Sequence, residues 1–454
     1  MEGCITTKYK IGLSFGIIIL FVLSAVSPMT TGRNLRTSIL RNDGNILYVG
    51  GSGEGNYTTI QSAIIDANSG DTVFVYDGIY YENVKIISKS INLIGKDKNL
   101  TIIDGNYTDY PIYISSSNYV KISGFTLINP EGDPYDDWQS VLIKIRNCQN
   151  TVIENNIVKQ NNINYGDWSA GIYLKDSSNN SIRNNIICYT DMSNRSRGIM
   201  LDDGANQNNI SNNEIYNFID GICLDTNDNT IYGNFIYDNF WGLLIRNYAD
   251  GNNIINNKIT SNSCYGIQIR VGNNNFVSGN IISGNGIGWD NEMGLEIYGD
   301  GNYIINNLIS NNNPIGISLD KGINYIIHNN IINNKQIGIY VCFTEENYIS
   351  YNNFIDNGNY NACFEQLRED KFSVKWNKNY WNDNNGESYH IIPGYVYFIF
   401  TFGVKWYNFD WNPAKEPYDI NETGTYDIED YSRNINNPVF ERFPLLERLF
   451  DVWR

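Results

Sequence analysis

Charged residues recur at one position of a motif that repeats along the chain. The motif reads Gly-Ile-x-Leu, with close variants, and in four consecutive copies it is followed by Asp202, Asp225, Arg246 and Arg270. If the copies stack as parallel strands, equivalent residues lie about 4.8 Å apart. Two carboxylates at this spacing match the pair of a retaining glycosidase, and their like charges would raise the pKa of one of them. These four residues are therefore the catalytic candidates, with an arginine to bind a uronate carboxylate or, in a lyase, to withdraw a proton.

The same row has two other interpretations. It fits an outward ladder of alternating charges in which Asp225 pairs with Arg246, and exposed pairs of this kind contribute only about 0–1 kcal/mol. It also fits a carbohydrate-binding groove that has no catalytic activity. All three interpretations stay open from the residues alone.

Aromatic and acidic residues near the row predict where a sugar would bind. The substrate-binding candidates are Trp168, Tyr173, Trp241, Tyr265, Trp289 and Glu296. Aromatic side chains also cover strand ends in many proteins, so the pattern has a purely structural interpretation as well. Asp203, Asp290, Glu292 and Glu296 supply carboxylate oxygens of the kind that calcium takes. Calcium is therefore the one metal expectation, although no cofactor is required and no local signature defines a metal site.

The elements that position these residues are short repeats of 21 to 28 residues. One column of asparagines comprises Asn185, Asn213, Asn234, Asn257, Asn280, Asn307, Asn330 and Asn353. The interleaved glycines are Gly171, Gly198, Gly221, Gly242, Gly266, Gly294, Gly316 and Gly338. A fixed period of this length is typical of a stacked repeat protein, and the alternation of apolar and polar residues indicates strands.

A coil of about 22 residues cannot bury its own isoleucines, so neighbouring coils must stack. One predicted inward column comprises Ile187, Ile215, Ile236, Ile259, Ile282, Ile309 and Ile332. The other comprises Ile172, Ile199, Ile222, Leu243, Ile267, Leu295, Ile317 and Ile339. Asparagine tolerates the left-handed conformation at turns and can pair with the asparagines above and below, and glycine permits tight bends. We predict an all-β chain, a right-handed parallel β-helix with three sheets.

The ends of the chain differ in composition from the repeats. Lys8 and Lys10 precede the apolar run Ile11 to Val26, so residues 1–32 are predicted to be a signal peptide or an N-terminal membrane anchor, with attachment through residues 8–26. The other predicted segments are a linker at 33–45, the β-helix at 46–375, an aromatic C-terminal cap at 376–420, and a polar linker with a short amphipathic tail at 421–454. Thr58–Ala67 is predicted to be a helix that covers the first coils.

Composition excludes some partners and disfavours others. The net charge is −17 and there is no basic cluster, so nucleic acid is not expected to bind. The chain has two histidines and five methionines, too few for a copper site of the usual kind. Its seven cysteines show no CxxC pair, and seven Asn-x-Ser/Thr sequons fit an exported glycoprotein.

Three segments resemble a known family. YTTIQSAI…SGDTVFVYDGIYYENV…KSINLIGKDKNLTIIDG resembles the start of NosD-like and pectin-lyase-like β-helix proteins. The Asn-x-x-Ile-x-x-Asn units resemble their parallel β-helix repeats, and NYW…IIPG…WYNFDWNPAKEPYDI is similar to the end of archaeal surface proteins of that group. The resemblance covers roughly residues 46 to 420. It implies the pectin-lyase-like fold, which hosts lyases, hydrolases, epimerases and adhesins without catalytic activity.

We expect an exported, cell-surface protein that binds extracellular carbohydrate or is presented on it. The carbohydrate would be a polysaccharide or a cell-surface glycan. The alternatives are a polysaccharide lyase or glycoside hydrolase that uses the Asp/Arg row, a structural spacer, and a NosD-type copper-handling protein. The Gly-His-Gly and Arg-Ile-Lys motifs of polygalacturonase-like hydrolases are absent from the sequence, which favours binding over catalysis.

Overall fold

The computed structural model describes residues 44–130, 140–161, 168–190, 195–288, 292–344, 346–367, 374–399 and 402–420. In these ranges the helix is α1 (Ile60–Asp66). The first strands are β1 (Ile46–Val49), β2 (Thr72–Val75), β3 (Gly78–Tyr81), β4 (Val84–Ile87), β5 (Asn92–Gly95), β6 (Thr101–Asp104), β7 (Ile112–Ser115), β8 (Lys121–Ser123), β9 (Thr126–Ile128), β10 (Ser140–Arg146), β11 (Val152–Glu154), β12 (Ile157–Gln160), β13 (Ser169–Lys175), β14 (Ser181–Arg183), β15 (Ile186–Tyr189) and β16 (Ser196–Asp202). The next are β17 (Asn209–Ser211), β18 (Glu214–Tyr216), β19 (Asp220–Leu224), β20 (Thr230–Tyr232), β21 (Phe235–Tyr237), β22 (Trp241–Ile245), β23 (Asn253–Ile255), β24 (Lys258–Thr260), β25 (Ile267–Arg270), β26 (Phe276–Ser278), β27 (Ile281–Ser283) and β28 (Met293–Tyr298). The last are β29 (Tyr303–Ile305), β30 (Leu308–Ser310), β31 (Ile315–Lys321), β32 (Tyr325–Ile327), β33 (Asn330–Ile332), β34 (Ile337–Cys342), β35 (Tyr348–Ser350), β36 (Asn353–Ile355), β37 (Tyr360–Leu367), β38 (Lys375–Asn377), β39 (Tyr380–Trp381), β40 (His390–Ile399) and β41 (Phe402–Asp410).

The strands form three sheets because most strands pair with the strand three places later in the chain. Sheet A runs from β1 through β2, β5 and β8 to β38 and has 14 strands, and sheet B runs from β3 through β6 to β39 and has 13. Sheet C runs from β4 through β7 to β40 and β41, also with 14 strands. Neighbouring strands are parallel except β40 and β41, which are antiparallel. This confirms the predicted fold, a right-handed parallel β-helix with three sheets.

Apolar columns fill the interior of the coil. In sheet C all eight residues of the predicted column from Ile172 to Ile339 are fully buried and in register. In sheet B the column runs from Ile187 to Ile309 as predicted, but it continues through Ile331, which pairs with Ile309. The predicted Ile332 is therefore wrong by one residue. The column ends in stacked rings, Phe354 on Trp381 at 4.3 Å between centroids.

Buried asparagines form hydrogen-bonded ladders between the sheets. The longest, which we call the first ladder, comprises Asn156, Asn185, Asn213, Asn234, Asn257, Asn280, Asn307, Asn329, Asn352 and Asn379. Each amide Nδ2 donates to the Oδ1 of the next asparagine, and each Oδ1 also accepts the backbone N–H of the preceding one. At its C-terminal end Asn379 donates to the carboxylate of Asp410 at 3.1 Å. The ladder thus satisfies the polar groups that it buries.

The predicted asparagine column needs two corrections. Asn330 and Asn353 lie one residue beyond the first ladder, on the outer face of sheet B. There they hold the segment 414–420, which we call the strap: Asn353 exchanges two hydrogen bonds with the backbone of Tyr418, and Asn330 donates to Ile420 O. The left-handed turn conformation was also assigned to the wrong position, because it belongs to the residue before each ladder asparagine, such as Asn184 (φ 56°) or Asn256 (φ 54°).

The repeated glycines make room for another ladder. This ladder comprises Asn239, Asn262, Asn285, Asn312, Asn334, Asn357 and Asn361. A Cβ at Gly242 would lie 2.8 Å from the Asn262 amide and 2.5 Å from Gly266 O, distances too short for non-bonded atoms. The φ angle of Gly242 is not positive, so the predicted role of these glycines in tight bends is wrong. They are needed because a side chain would not fit.

The helix α1 agrees closely with the predicted Thr58–Ala67, and its ends are satisfied by charged side chains of the sheets. The Glu82 carboxylate accepts the N–H groups of Ile60 and Gln61, both at 2.9 Å. At the other end Lys89 Nζ donates to three backbone carbonyls, including Ala67 O at 2.8 Å. A negative charge at the N-terminus and a positive charge at the C-terminus both interact favourably with the helix dipole. No helix in the described ranges has the length and apolar character needed to cross a bilayer; the predicted anchor at residues 8–26 lies outside those ranges.

His328 occupies one of the left-handed turn positions, with φ 55°. It lies between the rings of Tyr351 and Tyr418, each 5.5 Å away, so the strap covers it. Burial lowers the pKa of His328 to about 4.

Replacing one ladder asparagine should destabilise the coil strongly. Asn257→Ala would remove the acceptor of two Asn234 N–H groups and the donor to Ile231 O. Each buried polar group left without a partner costs about 1–3 kcal/mol, so the total is roughly 3–5 kcal/mol. Thermal unfolding should show a clear drop in Tm, with faster hydrogen exchange in the adjoining coils. Lys258→Ala, one residue further on and exposed, is the control; equal Tm values for both variants would contradict a stabilising role of the ladder.

His328 should make the protein less stable in acid. The unfolded histidine takes up a proton below about pH 6.5, whereas the folded one resists protonation down to about pH 4. Stability is therefore lost as the pH falls through this window, by at most about 3 kcal/mol. His328→Asn keeps a residue that tolerates positive φ. Its Tm should fall less than that of the unaltered protein between pH 7 and pH 4, and parallel Tm curves would refute the assignment.

Candidate functional site

The outer face of sheet C carries three columns of side chains from successive coils. The upstream column comprises Ala170, Arg197, Asp220, Trp241, Tyr265 and Met293. The middle column comprises Tyr173, Met200, Cys223, Leu244, Gln268 and Glu296. The downstream column comprises Lys175, Asp202, Asp225, Arg246, Arg270 and Tyr298. The predicted row of catalytic candidates is therefore a true column of vertical neighbours.

The downstream column neutralises most of its own charges. Arg246 donates to both carboxylate oxygens of Asp225, with Nε–Oδ1 at 2.6 Å and Nη2–Oδ2 at 3.0 Å, and Asn247 donates a third hydrogen bond to Asp225. Asp202 accepts the Tyr173 hydroxyl at 2.8 Å. Because Asp225 is held by a guanidinium, the geometry favours the paired ladder over a retaining carboxylate pair.

The downstream column ends its regular register at Tyr298. The pairing of β28 with β31 shifts by one residue there, so Tyr298 lies beside Lys321.

A second ion pair lies in the upstream column. Arg197 Nε is 2.7 Å from Asp220 Oδ2, and both side chains are almost fully buried. The guanidinium of Arg197 also lies over the ring of Trp168, 4.4 Å from its centroid. Burial raises the pKa of Asp220, while the positive charges of Arg197 and Arg246 oppose that shift. Between the two ion pairs sits the buried thiol of Cys223, whose pKa burial also raises.

Some aromatic candidates prove unsuited to stacking on a sugar. Tyr173 faces outward from the sheet but is only 2% exposed, so its ring offers almost no surface on which a sugar could stack. It packs in a second apolar cluster with Met200 and Leu244. Trp168 is exposed but stacks on Arg197, and Trp241 is half-buried against Phe240 at 4.6 Å. Trp289 lies outside the described residues.

The next coils carry a different group of residues, which we call the Arg270 patch. It comprises Tyr265, Gln268, Arg270, Glu296, Tyr298 and Asp320. Gln268 Nε2 donates to the Glu296 carboxyl group, and the Tyr265 hydroxyl bonds the same group. Ser318 Oγ donates to Asp320 Oδ2 at 2.9 Å. The Arg270 side chain is exposed, and among the described residues it has no salt-bridge partner.

Burial sets the acid–base character of the patch. It raises the pKa of Glu296, and the nearby charge of Asp320 raises it further, while Gln268 and Arg270 oppose the shift. Burial likewise raises the pKa of Asp320 and of the Tyr265 hydroxyl. The patch therefore offers carboxyl groups whose pKa is raised, hydroxyl and amide groups that can bond to hydroxyls, and one exposed cation.

Sequence reasoning identified half of the patch and none of the upstream ion pair. Arg197 and Asp220 occupy the position just before the motif glycine, as Trp241 and Tyr265 do, so reading that position coil by coil would have revealed them. Gln268 and Glu296 occupy the x of the motif. The x lies two residues before the residue after the motif, so alternation places both on the outer face. The residue before the glycine reaches the same face only because the alternation is interrupted there: a Cβ on Gly198 would point inward, 2.6 Å from Ile215, and the next residue, Ile199, is also fully buried.

The calcium expectation remains untested. Asp290 lies outside the described residues, Asp203 pairs with Lys175 at 3.3 Å, and Glu292 accepts the N–H of Gly288 at 3.1 Å. No group of three or more His, Cys, Asp or Glu side chains in the described ranges is arranged to hold a metal ion. The six described cysteines are free thiols.

Two family models match overlapping parts of the chain. Residues 64–263 match the family described as periplasmic copper-binding protein (NosD), and residues 245–394 match the right handed beta helix region. No curated protein has a detectable sequence match to this chain.

Solved structures similar to this one are β-helix proteins of low sequence identity. The A-module of mannuronan C-5 epimerase AlgE6 from Azotobacter vinelandii is 16% identical, with 67% of this chain and 90% of that chain covered and a TM-score of 0.47. The xylose complex of XylC is 14% identical, with 68% and 75% covered and a TM-score of 0.46. The Dettilon tailspike protein is 13% identical, with 73% and 68% covered and a TM-score of 0.47. At such identities the similarity concerns the fold alone.

The two acidic residues Asp225 and Asp203 should respond differently to the loss of their charge. The Asp225 side chain is 8% exposed in its pair with Arg246, whereas that of Asp203 is 77% exposed in its pair with Lys175. Asp225→Asn should therefore destabilise the protein by about 1–3 kcal/mol, and Asp203→Asn by less than about 1 kcal/mol. Thermal unfolding of both variants at low and high salt checks this. A larger effect at Asp203 would show that the Asp225 pair is not the stabilising one.

Proposed function

We infer that this chain, a right-handed parallel β-helix repeat protein with NosD-like repeats and the pectin-lyase-like fold, binds an extracellular carbohydrate on the outer face of sheet C. The Arg270 patch is the proposed site. One observation carries the proposal: Arg270 is exposed without a described salt-bridge partner, whereas Arg197 and Arg246 on the same face are paired with aspartates. A guanidinium of this kind is available to donate several hydrogen bonds to a ligand.

The composition of the patch favours a neutral glycan rich in hydroxyl groups. Gln268 and Glu296, which are 7% exposed and hydrogen-bonded to each other, form the polar floor of the patch. The half-buried rings of Tyr265 and Tyr298 provide flat apolar surface beside Arg270. A few convergent polar groups beside aromatic rings are typical of small-ligand sites. The net charge of −17 would repel a polyanion, so a uronate polymer is disfavoured.

Location outside the cytoplasm is part of the proposal. The NosD family is described as periplasmic, and the apolar run within residues 8–26 supports export. Copper binding is not part of it, because the His328 ring is half-buried between two tyrosine rings and Met200 is buried in an apolar cluster. The binding proposed here needs no cofactor, and adding calcium or EDTA to the assay tests the calcium expectation.

A second candidate function is cleavage of the same glycan. The raised pKa of Glu296 favours it, because a general acid must hold its proton until the reaction and burial raises the pKa of this carboxyl group in that direction. Glu296→Gln should then abolish product formation and leave binding largely intact. If no reducing ends or unsaturated products appear with any glycan that binds, the protein is a binder.

Removing the Arg270 guanidinium should weaken glycan binding. A glycan array with neutral oligosaccharides selects the ligand, and calorimetry then compares the variants. Arg270→Ala should lower the affinity about 10- to 100-fold, since hydrogen bonds to a charged group contribute about 1.5–3 kcal/mol.

Arg183→Ala is the matched control, because Arg183 is also exposed but lies on sheet A in a pair with Glu154. It should bind as the unaltered protein does. Equal affinity of the Arg270 variant, or no glycan bound by the unaltered protein, would rule out the proposed site.

A further inference from the structure

A cleft of about 570 Å³ opens at the C-terminal end of the coil, away from the Arg270 patch. It lies between the turn 356–362, the pair Asn382 and Asp383, and the start of β40. Tyr360 on its wall belongs to the upstream column of sheet C, four coils beyond Tyr265. At about 4.8 Å a coil, the two sites are about 19 Å apart. The volume is in the range of pockets that hold small ligands.

The cleft is built on a rigid floor. The asparagine ladder beside the glycines ends here, because Asn361 replaces the motif glycine of earlier coils and accepts the Asn357 amide at 2.9 Å. The Asn361 amide then donates to Asn382 Oδ1 at 3.1 Å and to Asp383 Oδ1 at 2.8 Å. The side chains at the mouth of the cleft are thus held by the core of the fold, which preorganises them for a ligand.

Acidic and amide groups dominate the lining. Asp356 and Asp383 carry its charges, and none of the lining residues is a lysine or arginine. Asp356 accepts one described side-chain hydrogen bond, from Asn382 Nδ2 at 2.5 Å, and the Asp383 side chain is 58% exposed. A carboxylate has about four acceptor positions, so both groups keep acceptor capacity toward the cleft.

His390 adds no positive charge to balance them near neutral pH. Its ring stacks on Trp381 at 4.2 Å, and burial lowers the pKa of the imidazole, although Asp383 and Asp410 oppose the shift. The lining therefore carries a negative charge.

Aromatic side chains continue from the cleft along the surface. The Tyr360 ring is exposed, and Ile391 on the lining pairs across the hairpin with Phe409. Phe409 stacks on Trp411 at 4.6 Å, and Trp411 is 69% exposed. Flat aromatic surface beside a polar pocket suits a ring-shaped ligand with polar edges better than a bare metal ion.

The geometry points to a second ligand site in this cleft, one that takes a sugar with a free protonated amine, such as the glucosamine unit of a deacetylated amino-sugar polymer. The ammonium group would lie between Asp356 and Asp383. The hydroxyl groups would bond the amides of Asn359 and Asn382, and neighbouring units would stack on Trp411. This site is separate from the proposed glycan site and does not depend on it.

Calorimetry with three tetrasaccharides tests the inference directly. The probes are the β-1,4 tetramers of glucosamine, N-acetylglucosamine and glucose, at neutral pH and low salt. The glucosamine tetramer should bind at least tenfold more tightly than the other two, and salt should weaken it, because the contact is between opposite charges. No binding, or equal binding of the three, would overturn the inference.

Variants place the ligand within the molecule. Asp356→Asn combined with Asp383→Asn should lose at least tenfold in affinity for the glucosamine tetramer. Asp356 has φ 53°, and Asn311 and Asn333 occupy the same turn position in earlier coils, so asparagine fits there and folding is retained. Asp238→Asn, at the same turn position five coils earlier (φ 52°), is the matched control and should bind normally.

Arg270→Ala separates this inference from the proposed function, since it should leave glucosamine binding unchanged. If it abolished that binding, or if the double aspartate variant bound normally, the ligand would not occupy the cleft. Loss of neutral-glycan binding in the Arg270 variant has no bearing on this result.

Discussion

The buried asparagine ladders are the constraint on which the rest of the molecule depends. An amide buried in an apolar core is costly unless its donors and acceptor are all satisfied. Asn280 meets this condition: its Nδ2 donates to Ile254 O at 2.8 Å, to Ser278 O at 3.1 Å and to Asn307 Oδ1 at 3.0 Å. Its Oδ1 accepts two hydrogen bonds from Asn257. A slip of one residue would break all of these bonds at once, so the ladders define which residues become vertical neighbours.

The ladders also have a direction, which explains the residues at their C-terminal ends. Every Nδ2 donates toward the next coil, so the last coil is left with amide donors and no further asparagine to accept them. The first ladder ends on Asp410, which also accepts the Trp381 indole N–H at 3.2 Å. The ladder beside the glycines ends on Asp383 through Asn361. A carboxylate is a strong acceptor for such donors. The acidic character of the C-terminal cleft therefore follows partly from the need to terminate a ladder.

The coil could be predicted from the sequence because both the asparagines and the glycines recur with the period of the repeat. The motif glycines predicted the inward column of sheet C correctly from Ile172 to Ile339, and the lack of room for a Cβ explains why glycine recurs at that position. The predicted asparagine column was wrong at Asn330 and Asn353. Each of these follows another asparagine, Asn329 or Asn352, and the spacing alone does not show which of the two belongs to the ladder. The burial of Tyr173 could not be predicted from the sequence either. The strand pattern tells which face a side chain is on, but not whether that face is covered.

The pairing of charges between neighbouring coils determines which charged groups on the outer face of sheet C remain available to a ligand. Where the upstream or downstream columns place opposite charges one coil apart, as in Arg197 with Asp220 and Arg246 with Asp225, the pairs satisfy each other. One coil later Arg270 lies between Arg246 and Tyr298 in its column, so neither vertical neighbour offers it a carboxylate. The same stacking that pairs the earlier charges leaves this guanidinium exposed. The proposed site therefore lies where the charge pairing between coils ends, because that is where a charged group on this face is left for a ligand.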